Sequence, residues 1–191
     1  MQNDTVIISS IDNLELATKI AHNLDLQLIK ADLRIFSDGE SKIRMDSVWN
    51  KKCIIVHSTY PVPDQRLMQL FMMIYKCNKD HAKHISALIP YMAYTRQDKA
   101  FIDGEVISID LIGNILESIG INQLVTIDIH NQNVLSNFSF RTGNISAIPI
   151  LACYVSDHLK LHSPLIVSPD KGGINRACLL YTSPSPRDIS G

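Results

Sequence analysis

Apolar residues in this chain come in short continuous blocks, separated by stretches in which they recur every three or four positions. Thr5–Ser9 (T-V-I-I-S) has the length and composition of a buried strand. Leu14, Ala17, Ala21 and Leu24 then share one helical face, with Asp12 or Asn13 placed to cap it. Gln27–Ile29 predicts a second strand, and Lys42–Met45 alternates as a half-exposed strand does. Cys53–His57 (C-I-I-V-H) predicts another buried strand, and Pro61 and Pro63 exclude helix from the S-T-Y-P-V-P loop after it. Between Asp64 and Lys76, Leu67, Leu70, Phe71 and Ile74 form a helical stripe, thickened by Met68, Met72 and Met73. Ile85–Ile89 predicts a strand ended by Pro90. Ser108 is placed to cap a helix with Leu111, Ile112, Ile115, Leu116 and Ile119 inward and Gly120 as terminator. Leu124–Ile129 predicts the next strand. Arg141–Ile148 fits neither period and is expected to be a connector near a domain boundary. Pro149 opens a helix to about Leu161, and Leu165–Val167 predicts a last strand. Such alternation predicts an α/β fold with a mainly parallel sheet covered by helices.

Chemistry-bearing residues gather where these strands end. Ile89 leads into P-Y-M-A-Y-T-R-Q-D-K-A-F, which places Arg96, Gln97, Asp98 and Lys99 where α/β proteins hold ligands. The planar fork of Arg96 and the point charge of Lys99 suit phosphate oxygens. A solvated, salt-bridged turn fits the same residues. In F-S-D-G-E, Phe36 to Glu40, Gly39 permits a tight turn between Asp38 and Glu40. Two acids beside an aromatic suit an adenine edge or a ribose hydroxyl, and equally a plain turn. In D-I-H, strand alternation puts Asp128 and His130 on one face, suited to a metal–nucleotide complex or to a simple hydrogen-bonded pair. In S-P-D-K-G-G-I-N-R-A, Ser168 to Ala177, Asp170 suits Mg²⁺ and the paired glycines let backbone N–H groups approach a phosphate. His81 and His84, and likewise His158 and His162, are expected to be surface histidines, since the glutamate of a zinc-protease motif is missing.

With 191 residues, one or two domains fit. A net charge of −1 gives no general pull toward nucleic acid or anionic membrane, so any anion site must be local. No apolar run approaches a membrane span, and M-Q-N-D-T lacks the features of a signal peptide. Cys53, Cys77, Cys153 and Cys178 are scattered without a C-x-x-C pair, which predicts reduced structural thiols and a cytoplasmic location.

Taken together, F-S-D-G-E, S-T-Y-P, I-P-Y-M-A-Y-T-R-Q-D, D-I-H and V-S-P-D-K-G-G-I-N-R-A resemble the ribose-phosphate pyrophosphokinases (phosphoribosyl pyrophosphate synthetases), in the family's order, from Val6 to Ala177. The resemblance implies phosphoribosyltransferase-like three-layer domains in a homo-oligomer: one over residues 1–145 and the start of a second over 146–177. It implies transfer of pyrophosphate from ATP to ribose 5-phosphate, giving phosphoribosyl pyrophosphate and AMP. By residue, it implies Phe36 against adenine, Asp38, Gly39 and Glu40 lining the nucleotide site, Arg96 and Gln97 binding ATP, and His130 and Asp170 helping to place Mg²⁺. It further implies a nucleotide site completed by a neighbouring subunit, with F-S-D-G-E serving the next chain.

After Ala177 the resemblance stops. The family's catalytic lysine loop and acidic ribose-phosphate loop have no counterpart in residues 178–191. That segment (C-L-L-Y-T-S-P-S-P-R-D-I-S-G) is rich in Ser and Pro and is expected to be a disordered tail, consistent with a truncated chain. The expectation is a chain that does not turn over by itself. A non-catalytic regulatory or assembly homologue, using its Met-rich helix face, is the alternative. A phosphoribosyltransferase is disfavoured by the missing acidic phosphate loop.

Overall fold

The computed structural model describes residues 4–159, 161, 164–168 and 171–182, and the chain divides into two compact units, Met1–Ile145 and Ser146–Gly191. In the first unit, β1 (Thr5–Ser9), α1 (Leu14–Asn23) and β2 (Gln27–Lys30) form a β-α-β crossover. A hairpin of β3 (Asp32–Ile35) and β4 (Ser41–Arg44) comes next. Then come β5 (Lys52–Val56), α2 (Pro63–Lys79), β6 (His84–Ile89), α3 (Ser108–Ser118), β7 (Gln123–Ile127) and β8 (Arg141–Ile145). Six strands pair in parallel in the order β2-β1-β5-β6-β7-β8, and the antiparallel β3–β4 pair forms its own small sheet.

The apolar blocks are continuous because both sheet faces are covered. On one face Ile7 and Val56 pack with Ala17 and Ala21 of α1. On the other, Val6, Ile8, Cys53 and Ile55 pack with Leu67, Leu70, Met73 and Ile74 of α2 and Ile109, Ile112 and Leu116 of α3. Ile7, Ile8 and Ile55 are fully buried, and each such side chain contributes about 1.5–3 kcal/mol of transfer free energy. Cys53 and Cys77 lie buried together as free thiols, and the Cys77 thiol is pushed far up by its hydrogen bond with Cys53 and by burial. No helix among the described residues is long and apolar enough to cross a membrane.

Several expectations change on contact with the tertiary structure. Leu24 lies past the end of α1 and is exposed. Pro63 is inside α2 rather than in the loop before it, at the start of the helix, where a missing N–H costs nothing. Leu111 is exposed, because α3 turns Ile109, Ile112, Gly113 and Leu116 inward, with the Phe138 ring against Gly113. The expected connector at Arg141 is strand β8. Gly143 and Asn144 are poor strand formers, but the open edge of β7 supplies a complete parallel ladder.

The second unit contains α4 (Ile148–His158), a short 3-10 turn at Lys171–Gly173 and α5 (Ile174–Thr182). Leu165–Val167 is not a strand, since no strand of this unit is available among the described residues to pair with it. Cys178–Thr182 continue α5 rather than starting an irregular tail. Ala177, Leu179 and Leu180 are strong helix formers, and Thr182 Oγ1 donates to the Cys178 carbonyl at 2.9 Å. Residues 183–191 of the expected tail lie outside the described residues.

Candidate functional site

The chain leaves β1 toward β2 and later returns to β1's other side as β5, so the strand order reverses between β1 and β5. Open α/β sheets bind ligands outside the C-terminal strand ends near such a reversal. Here the segments after β5, β6 and β7 are bound to one another. Thr59, fully buried after β5, accepts the Ala93 N–H at 2.7 Å and donates to the Tyr91 carbonyl at 2.6 Å. One side chain thus clasps the loop that carries Arg96 and Gln97. Gln97 Oε1 accepts from Ser108 Oγ at 2.6 Å, which ties the far side of that loop to the start of α3. Ser108 is therefore a loop tether, and Ile107 holds the capping position.

Asp98 accepts a hydrogen bond from the Asn131 side-chain amide, joining the loop after β6 to the segment after β7. This bond, above all, holds the Asp98 carboxyl below its ordinary range. Asn131 also caps the adjacent 3-10 turn by accepting the Asn133 N–H at 3.0 Å. From β8, Asn144 Oδ1 accepts the Ile129 N–H at 3.0 Å. Asp128 and His130 lie beyond the end of β7, and Asp128 has φ +44°. Strand alternation therefore does not govern the pair, and the expectation that it places them on one face is corrected.

The F-S-D-G-E segment is the tip of the β3–β4 hairpin. The Phe36 N–H donates to the Glu40 carbonyl at 2.8 Å and the Gly39 N–H to the Phe36 carbonyl at 3.0 Å. Gly39 has φ +92°, which a side chain would strain, and Asp38 Oδ1 accepts the Glu40 N–H. Phe36 is 37% exposed, with the Arg34 guanidinium 5.1 Å from its ring centre. The first turn of α2 touches both candidate segments: Asp64 accepts from the Tyr94 hydroxyl, and Gln65 Nε2 donates to the Gly39 carbonyl at 3.2 Å.

Behind these loops a polar chain runs from the buried His57 through the half-buried Arg66 to the exposed Asp12. The His57 imidazole, fully buried, donates from Nε2 to the Arg66 carbonyl at 3.0 Å. The Arg66 guanidinium pairs with Asp12 and holds its carboxyl below the ordinary range. Burial lowers the His57 pKa to about 4.

Arg96, Gln97, Asp38, Gly39 and Glu40 are exposed. Neither Arg96 nor Lys99 forms an ion pair among the described residues, and Lys99 lies over the Phe101 ring. His130 is exposed on the segment that Asn131 ties to Asp98. Asp170 and His162 lie outside the described residues, and His158 stacks on Tyr154. Among the described residues no group of three His, Cys, Asp or Glu could hold a metal. Gln65, Asn131 and Asn144 do not stand out in the sequence, and Thr59 does so only as part of S-T-Y-P. Thr59 and Asn131 follow strands, Gln65 opens a helix and Asn144 lies inside β8.

Residues 5–120 match the N-terminal domain of ribose phosphate pyrophosphokinase. The ribose-phosphate pyrophosphokinase of Methanobrevibacter smithii is 35% identical over 87% of this chain and 56% of its own length. That of Fusobacterium nucleatum is 35% identical over 92% of this chain and 56% of its own. The crystal structure of phosphoribosylpyrophosphate synthetase from Mycobacterium smegmatis superposes with a TM-score of 0.81 at 29% identity, covering 91% of this chain and 58% of that one. The chain spans about half the length of the curated relatives it matches. With a parallel sheet of the same fold and a family match over more than half its residues, the chain belongs to the ribose-phosphate pyrophosphokinase family.

Proposed function

We infer that this chain forms the nucleotide-binding part of a ribose-phosphate pyrophosphokinase. In that reaction the 1-hydroxyl oxygen of ribose 5-phosphate attacks the β-phosphorus of ATP. The bond from that phosphorus to the α,β-bridging oxygen breaks, AMP leaves, and the hydroxyl proton is lost to a base. Catalysis of this kind rests on positioning and on neutralising the triphosphate. The observation that carries the reading is the bonded set of loops after β5, β6 and β7, which holds Arg96 and Lys99 at the C-terminal sheet edge, without an ion-pair partner among the described residues. Arg96 and Gln97 bind the phosphates in this reading, while Phe36 packs on adenine and Asp38, Gly39 and Glu40 line its edge.

Mg²⁺ suits such a site because it takes one or two protein ligands and fills its shell with phosphate oxygens and water. His130 is the proposed contact; Asp170, the other residue the resemblance implies, lies outside the described residues. When bound, the ion neutralises triphosphate charge. A homo-oligomer in which one chain's F-S-D-G-E hairpin serves the next chain's site belongs to the same reading. It is supported by the exposure of Ile35 and Phe36 at the hairpin tip. A cytoplasmic location goes with it, since ATP and ribose 5-phosphate are both made and used there.

Calorimetric titration of Mg-ATP into the chain tests the reading. Loss of a charge-assisted phosphate contact in Arg96→Ala should weaken binding about tenfold or more. Equal affinity in wild type and Arg96→Ala would sink it.

A further inference from the structure

Gln69 interrupts an apolar surface. Leu70, Met73, Ile74 and Cys77 of α2 are fully buried, and so is Gln69. A primary amide withdrawn from water is strongly unfavourable unless both its ends are bonded. Here they are. Gln69 Nε2 donates to Ser41 Oγ at 3.0 Å, and Oε1 accepts from Arg66 Nη1 at 3.2 Å. Ser41 is the first residue of β4, directly after Glu40. One helical turn before Gln69, Gln65 holds the Gly39 carbonyl. Residues four apart lie on one helix face, so α2 grips the hairpin twice at its tip end, at Gly39 in the turn and at Ser41 where β4 leaves it.

Such a grip has a physical purpose. The hairpin has no backbone ladder to the six-stranded sheet, and a lone two-stranded hairpin is marginal in water. Met45 and Ile43 pack it against the core, but apolar contact is non-directional and lets an element rock. Two directional amide bonds fix the angle. Arg66 carries the fixation on, through its carbonyl to His57 and its guanidinium to Asp12, to the strand ends where the sheet order reverses.

We propose that Gln69, with Gln65, is a positioning residue that sets the angle at which the β3–β4 hairpin presents Phe36–Glu40 to the adenine of a bound nucleotide. The inference rests on the nucleotide-binding function proposed for the chain and adds to it the element that orients the base-recognising segment. Neither glutamine touches the nucleotide.

Binding of Mg-ATP and of Mg-tripolyphosphate, which has no base, separates this role from a general structural one. Gln69→Leu keeps the volume and the burial. It should weaken Mg-ATP roughly tenfold through lost preorganisation, leave Mg-tripolyphosphate unchanged, and speed amide exchange at Phe36 and Gly39. Gln69→Glu keeps acceptors for the Ser41 hydroxyl and Arg66 and should restore wild-type values. Gln65→Ala, in the less buried first turn, should repeat the pattern, and serves alone if Gln69→Leu does not fold. Unchanged Mg-ATP affinity, or equal weakening of both ligands, overturns the proposal. A wild-type chain that binds neither ligand overturns the nucleotide reading and the presenting role with it. Exchange at Phe36 and Gly39 then still decides whether the glutamines hold the hairpin, and unchanged exchange in the variants refutes that too.

Discussion

Tyr94 donates its hydroxyl hydrogen to the carboxylate of Asp64, tying the loop after β6 to the first turn of α2. The carboxylate raises the Tyr94 pKa, so the phenol stays a donor through the physiological range. Tyr94 also has φ +64°, a left-handed conformation that a tyrosine adopts only when held. Tyr94→Phe keeps the ring and removes the tether. Its cost to folding should stay near 0.5–1.5 kcal/mol, while Mg-ATP affinity falls by less than in Arg96→Ala. Thermal melts and calorimetry on the same samples check both. Wild-type affinity in Tyr94→Phe would mean that the Thr59, Ser108 and Asn131 bonds hold that loop without it.

Asp98 and Asn131 form the bridge between the loops after β6 and β7. In Asp98→Ala the Asn131 amide loses its acceptor and is free to turn, although its oxygen currently caps the next turn at Asn133. Exchange at the Asn133 amide should therefore accelerate severalfold, as it does where a local bond sets the opening free energy. Unaltered exchange at Asn133 would mean that the bonds to β8, Ile129 N–H to Asn144 and Asp128 N–H to the Ile145 carbonyl, position the segment without Asp98.

His57 makes stability depend on pH. Its pKa falls from an ordinary 6.5 to about 4 because the ring is buried, with the Arg66 charge opposing protonation and the Asp12 charge favouring it. Above pH 6.5 the ring is neutral in both folded and unfolded chains, and the full stability is present. Between about 6.5 and 4 the unfolded chain takes up a proton that the folded chain refuses, so stability falls with pH by on the order of 2–3 kcal/mol. Asp12, lowered by Arg66, acts in a separate window, its contribution being lost only below its ordinary value of 3.8. Urea unfolding at pH 7.5 and 5.0 should show the His57 slope in wild type and a flatter one in His57→Gln.

Gly120 ends the turn after α3 with φ +91°, and a Cβ there would sit 1.9 Å from the Asn78 amide nitrogen. That amide donates to the Ile119 carbonyl at 2.9 Å. Gly120→Ala therefore combines left-handed strain with a displaced hydrogen bond and should destabilise by about 2 kcal/mol. A denaturation midpoint equal to wild type would contradict this.

The strand blocks at Thr5–Ser9, Cys53–His57 and Ile85–Ile89, the stripe of α2 and the Gly120 terminator were legible because local pattern and final environment agree. A strand covered on both faces must be apolar throughout, and a helix end needs a residue that tolerates positive φ. The R-Q-D and F-S-D-G-E segments stood out because charge collects in a loop or a turn that a strand or glycine introduces. Strand β8 was hidden, since R-T-G-N-I has weak strand character and exists as a strand only through the open edge of β7. The inward side of α3 was misjudged at Leu111, because a chain-distant ring, Phe138, lies where only Gly113 leaves room. The tethers were invisible for the same reason. Thr59, Gln65, Gln69 and Asn131 are ordinary polar residues in sequence, and their partners lie far along the chain in most cases. Local pattern is enough to say which segments turn inward and which carry the charge. Which polar side chains hold those charged segments in place depends on the parallel register, which brings together residues far apart in the chain.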